Sequence, residues 1–483
     1  MAEPVAGVAE GVAPGEGSPS AAGRAGFAPW VLAVAVAAAY ATSFLGDFQF
    51  DDLNVIVNEP RVHSLGAWWA SMPGVRPILK ASYALNWSSG LGLPGFHAVN
   101  LAVHVANSLL AWGLLRRLGP CPPGAALLGA LFFALHPADT EAVTYVSGRS
   151  SSLSASFALA SLLAFTAGDQ TRSGPSRALS PLLFLASLLV KESAAVLPFC
   201  LLLLEASFGP RPFHLCAALR RTAAHWLVLG AWSAAVLGSP TYHRMLAKSL
   251  ELRPPLANVL TQVQALAWLS GQVLRIDLLD ADPELPVVGV FTPTVALEAL
   301  ALLAALGLGL RYRRRPVGFA VLWFLLWLPA SGWWFPRAEP ANDRQLYLAI
   351  LGPAWLAGRR LAPLATGVRR AVAFGLVVLL GVATGARNLA YADEVRFWED
   401  VLRKSPRNAR AYNNLAFVLA ERCETARAEA MLLRALEIDP DYVRARVNLR
   451  LLQDGEPLAP LAPGQRGCET QRPPPPSTTP PSD

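Results

Sequence analysis

The sequence predicts an all-α polytopic membrane protein that ends in a short soluble helical tail. Three observations carry this. The 483 residues are 53% hydrophobic and only 16% charged, against roughly 25% charged in soluble domains. Apolar runs recur from residue 27 to residue 388, and a helix of about 20 such residues crosses a bilayer. Arginines and acids separate onto alternate connections between those runs, the asymmetry that orients a membrane chain.

Residues 1–26 form a small-residue leader rich in Gly and Pro, the composition of a disordered cytoplasmic segment. The apolar run 27–45 begins too late for a simple cleaved signal and reads as a retained first span. About eleven spans follow from the apolar runs, near 28–45, 97–115, 125–135, 151–168, 179–190, 194–207, 223–238, 292–310, 317–331, 345–358 and 371–386. The connections with Arg116 and Arg117, Arg172 and Arg177, Arg211, Arg220 and Arg221, the run 311–315, and Arg359, Arg360, Arg369 and Arg370 fall on one side. Asp47, Asp51, Asp52 and Glu59, Asp139 and Glu141, Asp280, Asp282 and Glu284, and Glu339 and Asp343 fall on the other. The net charge of +7 is therefore an orientation signal and not a nucleic-acid footprint. With an odd number of spans, everything beyond about Arg387 is non-cytoplasmic. The five cysteines show no CxxC pair and no metal spacing, which implies neither a disulfide framework nor a zinc site.

The tail, 389–455, contains ARAYNNLAFVLAERCETARAEAMLLRALEIDPDY, 34 residues long. Tyr412, Leu415, Ala416, Leu419, Ala428, Leu432, Ala435 and Pro440 fall on the large–small positions of a tetratricopeptide repeat. One repeat cannot bury its own face, so this unit is expected to pack on the membrane domain or on a partner. From residue 456 the chain is rich in Pro, Ser and Thr and reads as disordered.

Polar groups at membrane depth are costly and mark function more often than chance. The first outer loop, 46–96, opens with the paired acids Asp51 and Asp52 in FQFDDLNVIVNEP. His97, Asn100, His104 and Asn107 share one helix face. The deeper pair reads equally well as interhelical hydrogen bonding, whereas His97 and Asn100 are candidates to line a cavity. HPADTEAVTYVSGRSS places His136, Asp139, Glu141 and Arg149 in a compact polar group, without HExxH or HxxxH spacing, so no metal site is expected. LLVKES contributes Lys191 and Glu192, and ANDRQLYL contributes Arg344.

FDD after the first span, RPILKASYALNWSSGLGLPGFHAVNLAVH, ALHPADTEAVTYVSGRSS, LLVKES, DRQLYL and the repeat tail occur in this order over roughly 27–450. As an ordered set they resemble the transmembrane and tetratricopeptide-repeat O-mannosyltransferases and their bacterial relatives, of the GT-C superfamily. The chain departs from that pattern in having one full repeat, and Asp343, Arg344 and Gln345 where relatives carry an acid–arginine–tyrosine pattern. The resemblance implies a GT-C-like bundle of about eleven spans over 27–388 and an amphipathic outer segment, for which 258–288 is the candidate.

It also implies transfer of a sugar, mannose or another hexose, from a polyprenyl-phosphate donor to a protein hydroxyl on the non-cytoplasmic face. Asp51 is the first candidate for the base, with Asp52 orienting it or exchanging roles with it. Arg344, Lys191 and Arg149, with His97, Asn100, His136 and Glu141, are candidates to bind donor phosphate or substrate. No cofactor or metal is expected; the partners are the lipid-linked sugar, membrane lipid and a protein acceptor touched by the repeat. Two other classes fit some of the features: a transporter or flippase, which predicts inverted repeats and midplane acids, and a non-catalytic anchor for the repeat. The Ala, Leu and Arg content with the short tail favours a bacterial inner membrane over an endoplasmic reticulum.

Overall fold

The computed structural model describes residues 20–458, apart from 73, 123, 172–173, 329–335, 338 and 363–366. The leader up to residue 19, the tail from 459 and Arg172 lie outside the described residues. Every regular element among the described residues is helical.

Each predicted apolar run overlaps a helix among the described residues. Five segments are long and apolar enough to cross a membrane: Phe27–Leu45, Gly92–Leu115, Val146–Ala167, Pro293–Arg311 and Arg370–Tyr391. Ala125–Ala134, Ala178–Val190, Ala223–Leu237 and Pro316–Trp327 are shorter apolar helices set among them. The chain is a multi-pass, all-α membrane protein. The run predicted as 345–358 becomes a helix only over Leu351–Leu361, after a 3-10 turn at Asp343–Gln345. The intervening backbone is buried in protein and not in lipid, where irregular structure is tolerated if its polar groups are met; Trp323 Nε1 donates to the Leu348 carbonyl at 2.8 Å.

Helices approach each other where side chains are small or hydroxylated. The helices Arg149–Thr171 and Gly174–Val190 are joined by two serine pairs, Ser154 with Ser187 at 3.0 Å and Ser161 with Ser180 at 3.1 Å. The helices Ala125–Ala134 and Leu351–Leu361 touch backbone to backbone: a Cβ at Gly358 would stand 2.3 Å from the Ala125 carbonyl oxygen. Close contact through small residues is how helices associate in lipid, where there is no hydrophobic drive between them. The deeper polar pair resolves as interhelical bonding. His104 Nε2 donates to the Ala134 carbonyl at 2.9 Å and its Nδ1 accepts from Tyr347 Oη at 2.7 Å; Asn107 Nδ2 donates to Ser152 O and to Tyr347 Oη.

In the segment expected to lie amphipathically on the surface, Pro255–Gln272 is helical with Leu256 and Val259 exposed. Gln262 and Gln272 turn inward and are buried, and Gln262 donates to the Pro340 carbonyl at 3.1 Å.

The tail folds as four successive helices, Glu394–Lys404, Ala409–Glu421, Thr425–Ile438 and Val443–Gln453, of which the middle two, those of the full repeat, pack most extensively on each other. Leu415, Ala416, Leu419, Ala428, Leu432 and Ala435, the positions named by the repeat spacing, are buried between them. The unit docks on the membrane bundle. Arg387, at the end of the last apolar helix, bridges Asp400 at 2.5 Å and Asp343 at 3.2 Å; Ser405 Oγ donates to Asp280 at 2.7 Å; Trp398 meets Phe50 edge to face at 5.5 Å. Cys423 is disulfide-bonded. This corrects the expectation that the cysteines imply no disulfide, because spacing along the chain says nothing of which residues the fold brings together.

Candidate active site at the acidic end of the bundle

The paired acids sit on the first turn after Phe50, whose φ of 45° lies in the left-handed region that a bulky residue rarely adopts. The Phe50–Trp398 contact and a hydrogen bond from the Asp51 amide to Tyr145 Oη at 2.9 Å hold the turn. The two carboxylates then have different surroundings. Asp52 is fully buried, and its oxygens accept from the Ser147 amide at 2.7 Å and the Gln49 amide at 3.2 Å. Burial pushes its pKa up to about 7 against those hydrogen bonds. Asp51 is half-buried, and no hydrogen bond or ion pair reaches its carboxylate among the described residues. Burial raises its pKa; Arg344, Arg410 and Arg337 pull it down, and Glu339 pushes it up.

Arg344 is the hub of this end. Glu141 accepts from its backbone amide at 2.8 Å and pairs with its Nε at 3.4 Å. Burial opposes the Arg344 charge, but Glu141, Tyr145, Glu339 and Asp51 outweigh it and hold the guanidinium cationic. Arg344 and Lys191 line an open cleft with Ser151, Ser154, Gln345 and Trp327. Lys191 Nζ donates to Ser151 Oγ at 2.6 Å. Burial, then the nearby charges of Arg344, Arg337 and Arg76, hold its pKa well below the usual amine range. Glu192 is drawn off by Arg76 in a two-pronged pair, at 2.7 Å for the shorter contact. Its pKa falls to about 2, because Arg76 outweighs the burial that would raise it. The cleft thus carries two basic groups, Lys191 and the Glu141-paired Arg344, and among the described residues no acid lines it.

The remaining predicted residues do not converge on this cleft. Arg149 is fully buried: its guanidinium donates to Asn100 Oδ1 at 2.5 Å and Asn86 Oδ1 at 2.7 Å, between the rings of Tyr83 and Phe96. Asn100 is buried too, its amide donating to Val143 O at 3.0 Å and Val146 O at 3.2 Å. His97 reaches the first loop, donating to the Gly46 carbonyl at 3.2 Å, but is buried. His136 uses both ring nitrogens, accepting from the Ala138 amide and donating to the Val273 carbonyl; burial lowers its pKa to about 4. The compact group expected from His136, Asp139, Glu141 and Arg149 is therefore dispersed, and of the four Glu141 alone pairs with Arg344.

Three cationic or acidic groups that sequence reasoning passed over stand here. Arg76 sits inside the quoted RPILK motif, which was its one available signal. Arg337 precedes Glu339 in the same outer connection. Arg410 comes from the repeat tail, pairing with Asp282 at 2.9 Å and with Glu339, and resting 5.7 Å over the Phe50 ring. Among the described residues no group of three or more His, Cys, Asp or Glu side chains is placed to hold a metal ion.

An all-helical, multi-pass membrane protein with an available carboxylate beside a cationic cleft at one end is the class these features define. No family model matches the chain. It is 24% identical to protein O-mannosyl-transferase F38B6.6 of Caenorhabditis elegans across 89% of its own length and 65% of that protein. It is 24% identical to mouse protein O-mannosyl-transferase TMTC3 across 86% of its length and 51% of the relative. A shorter stretch, 26% of the chain, is 34% identical to 21% of mouse TMTC4. Over most of its length the chain is similar to proteins named as protein O-mannosyl-transferases. Its matches span two thirds or less of these relatives' own lengths.

Proposed function

We propose that the chain is a glycosyltransferase that moves a hexose, mannose in the first instance, from a polyprenyl-phosphate donor to a protein hydroxyl. The observation that carries this is an unengaged carboxylate, Asp51, facing Arg344, which with Lys191 lines a cleft that has no acid in its wall among the described residues. The names of the relatives supply the reaction class. In the proposed step the acceptor oxygen attacks the anomeric carbon while Asp51 takes its proton. The bond from that carbon to the phosphate oxygen breaks, and its electron pair leaves on the phosphate. Arg344, Lys191 and Arg337 meet the charge that develops there. An anion in the cleft would favour the charged amine of Lys191, which burial and then the neighbouring guanidiniums disfavour, so donor binding and Lys191 protonation would reinforce each other. Asp52, with both oxygens held by amides, orients the turn. The acidic end and the repeat unit would face the non-cytoplasmic side, with the donor's lipid chain lying among the exposed apolar helices.

The test is transfer of radiolabelled mannose from dolichyl-phosphate mannose to protein in membranes carrying either the parent chain or Asp51→Asn. The reading expects transfer to fall at least a hundredfold, the lower end of what general-base catalysis contributes (about 10²–10⁴), at unchanged abundance. Transfer at the parent level would remove Asp51 from the mechanism.

A further inference from the structure

At the opposite end of the bundle from Asp51 lies a second cleft, of about 330 Å³, which the proposed transfer does not use. Arg211, Arg314 and Arg359 line it, with Phe208 and Trp355 as ring walls. Arginines at helix ends orient membrane proteins in general, and by themselves they would argue for nothing more. Two further observations make this a built site. First, two of the three are held in place by the backbone: Arg314 donates to the carbonyls of Gly209 at 3.3 Å and Pro210 at 3.0 Å, and Arg359 donates to Pro120 O while lying 5.1 Å over the Trp355 ring. A guanidinium has five N–H donors, so both keep donors to spare, and neither has a carboxylate partner among the described residues. Second, Ser207 lines the cleft with a hydroxyl that is buried and has no hydrogen-bond partner, on a residue 6% exposed. A buried hydroxyl without a partner is costly, and a phosphate oxygen in the cleft would satisfy it. Glu205, the acid nearest in sequence, is ion-paired with Arg221 at 3.1 Å.

The cleft also lies where a bilayer surface would be. The helix Gly92–Leu115 runs from the first outer loop to Leu118 at the rim of this cleft; its 24 residues extend about 36 Å, enough to cross the hydrocarbon. Basic pockets between transmembrane helices at that depth take the phosphate of lipid head groups, and planar guanidinium groups match phosphate oxygens two at a time.

We propose that this cleft binds the phosphate head group of an anionic membrane lipid, with the Ser207 hydroxyl donating to a phosphate oxygen and the acyl chains running along the exposed apolar helices. The proposal stands apart from the transfer reaction and does not need it.

The test is native mass spectrometry of the full chain released from nanodiscs containing equal amounts of phosphatidylglycerol and phosphatidylcholine. Phosphatidylglycerol should be retained in preference. Arg211→Gln changes an exposed side chain with no hydrogen bond or ion pair among the described residues, so it should leave the fold intact. It should cut that retention roughly tenfold, the weight of one charge-assisted hydrogen bond. Ser207→Ala, a smaller perturbation, should cut it by a lesser factor. Equal retention of the two lipids, or retention unmoved by Arg211→Gln, would overturn the proposal. So would inorganic phosphate that both raises the melting temperature of the delipidated protein and displaces phosphatidylglycerol, since the ligand would then be soluble phosphate.

Discussion

Asp51 and Asp52 differ by one position along the chain and by almost everything in their surroundings. Asp52 accepts two backbone amides and is closed from solvent; Asp51 faces Arg344, Arg337 and Arg410 with its oxygens unengaged. Nothing in the dipeptide distinguishes them, because the amides that claim Asp52 come from Gln49 and, 95 residues away, Ser147. The acidic pair was legible as a candidate, whereas the division of labour was not. Arg149 shows the same limit: its acceptors on Asn86 and Asn100 lie 63 and 49 residues away. A pH dependence follows at this scale. Asp51 is held above the ordinary carboxylate pKa, and a base works only when ionised. Transfer should therefore fall as pH drops through a limb lying above about 3.9, the ordinary aspartate value. Asp52, pushed up to about 7, is protonated where Asp51 titrates, so Asp52→Asn removes no charge there and should leave that limb in place. Its role in orienting the turn predicts a lower rate with the limb unmoved; initial rates across a pH series that showed the limb displaced would overturn this.

At the level of helices, hydropathy located the segments well because burial in lipid and burial in protein both select apolar residues. It located contacts poorly. The approach of Ala125–Ala134 to Leu351–Leu361 depends on Gly129 and Gly358, which read in sequence only as two glycines among 37. Gly358→Leu would drive a side chain into the Ala125 carbonyl and the Gly129 backbone, at a cost of about 1–3 kcal/mol from overpacking. Its melting temperature in detergent should fall, while Gly375→Leu, where an added Cβ meets nothing within 4 Å, should leave it unchanged. The turn at 346–350 was missed for a related reason: LYLAI is apolar enough to continue a helix, and the Trp323 hydrogen bond that satisfies its irregular backbone comes from another element.

For the molecule as a whole, the tail is wired into the bundle by charge. Arg387 joins Asp343 of the outer connection to Asp400 of the first tail helix, and Arg410 joins Asp282 to Glu339. The expectation that a short repeat must pack on something was legible from its exposed apolar face. That it would pack beside Asp51, and lend Arg410 to that carboxylate's surroundings, was not. Arg387→Ala leaves buried acids without their shared cation, and breaking such a pair costs about 3–5 kcal/mol. Limited proteolysis should then cut within 394–453 markedly faster than in the parent chain; unchanged protection would mean that apolar contacts such as Phe50–Trp398 hold the tail unaided.

The short helix Pro316–Trp327 begins at one cleft and ends at the other, since Pro316 lines the lower and Trp327 the upper. Its 12 residues rise about 18 Å, against a hydrocarbon thickness of about 30 Å. The low-dielectric barrier between the two open faces is thus little more than half as thick here as in the surrounding lipid. Where water fills both clefts, a voltage across the membrane would drop over that shorter span, and the field at Lys191 and Arg344 would be steeper than bilayer thickness alone gives.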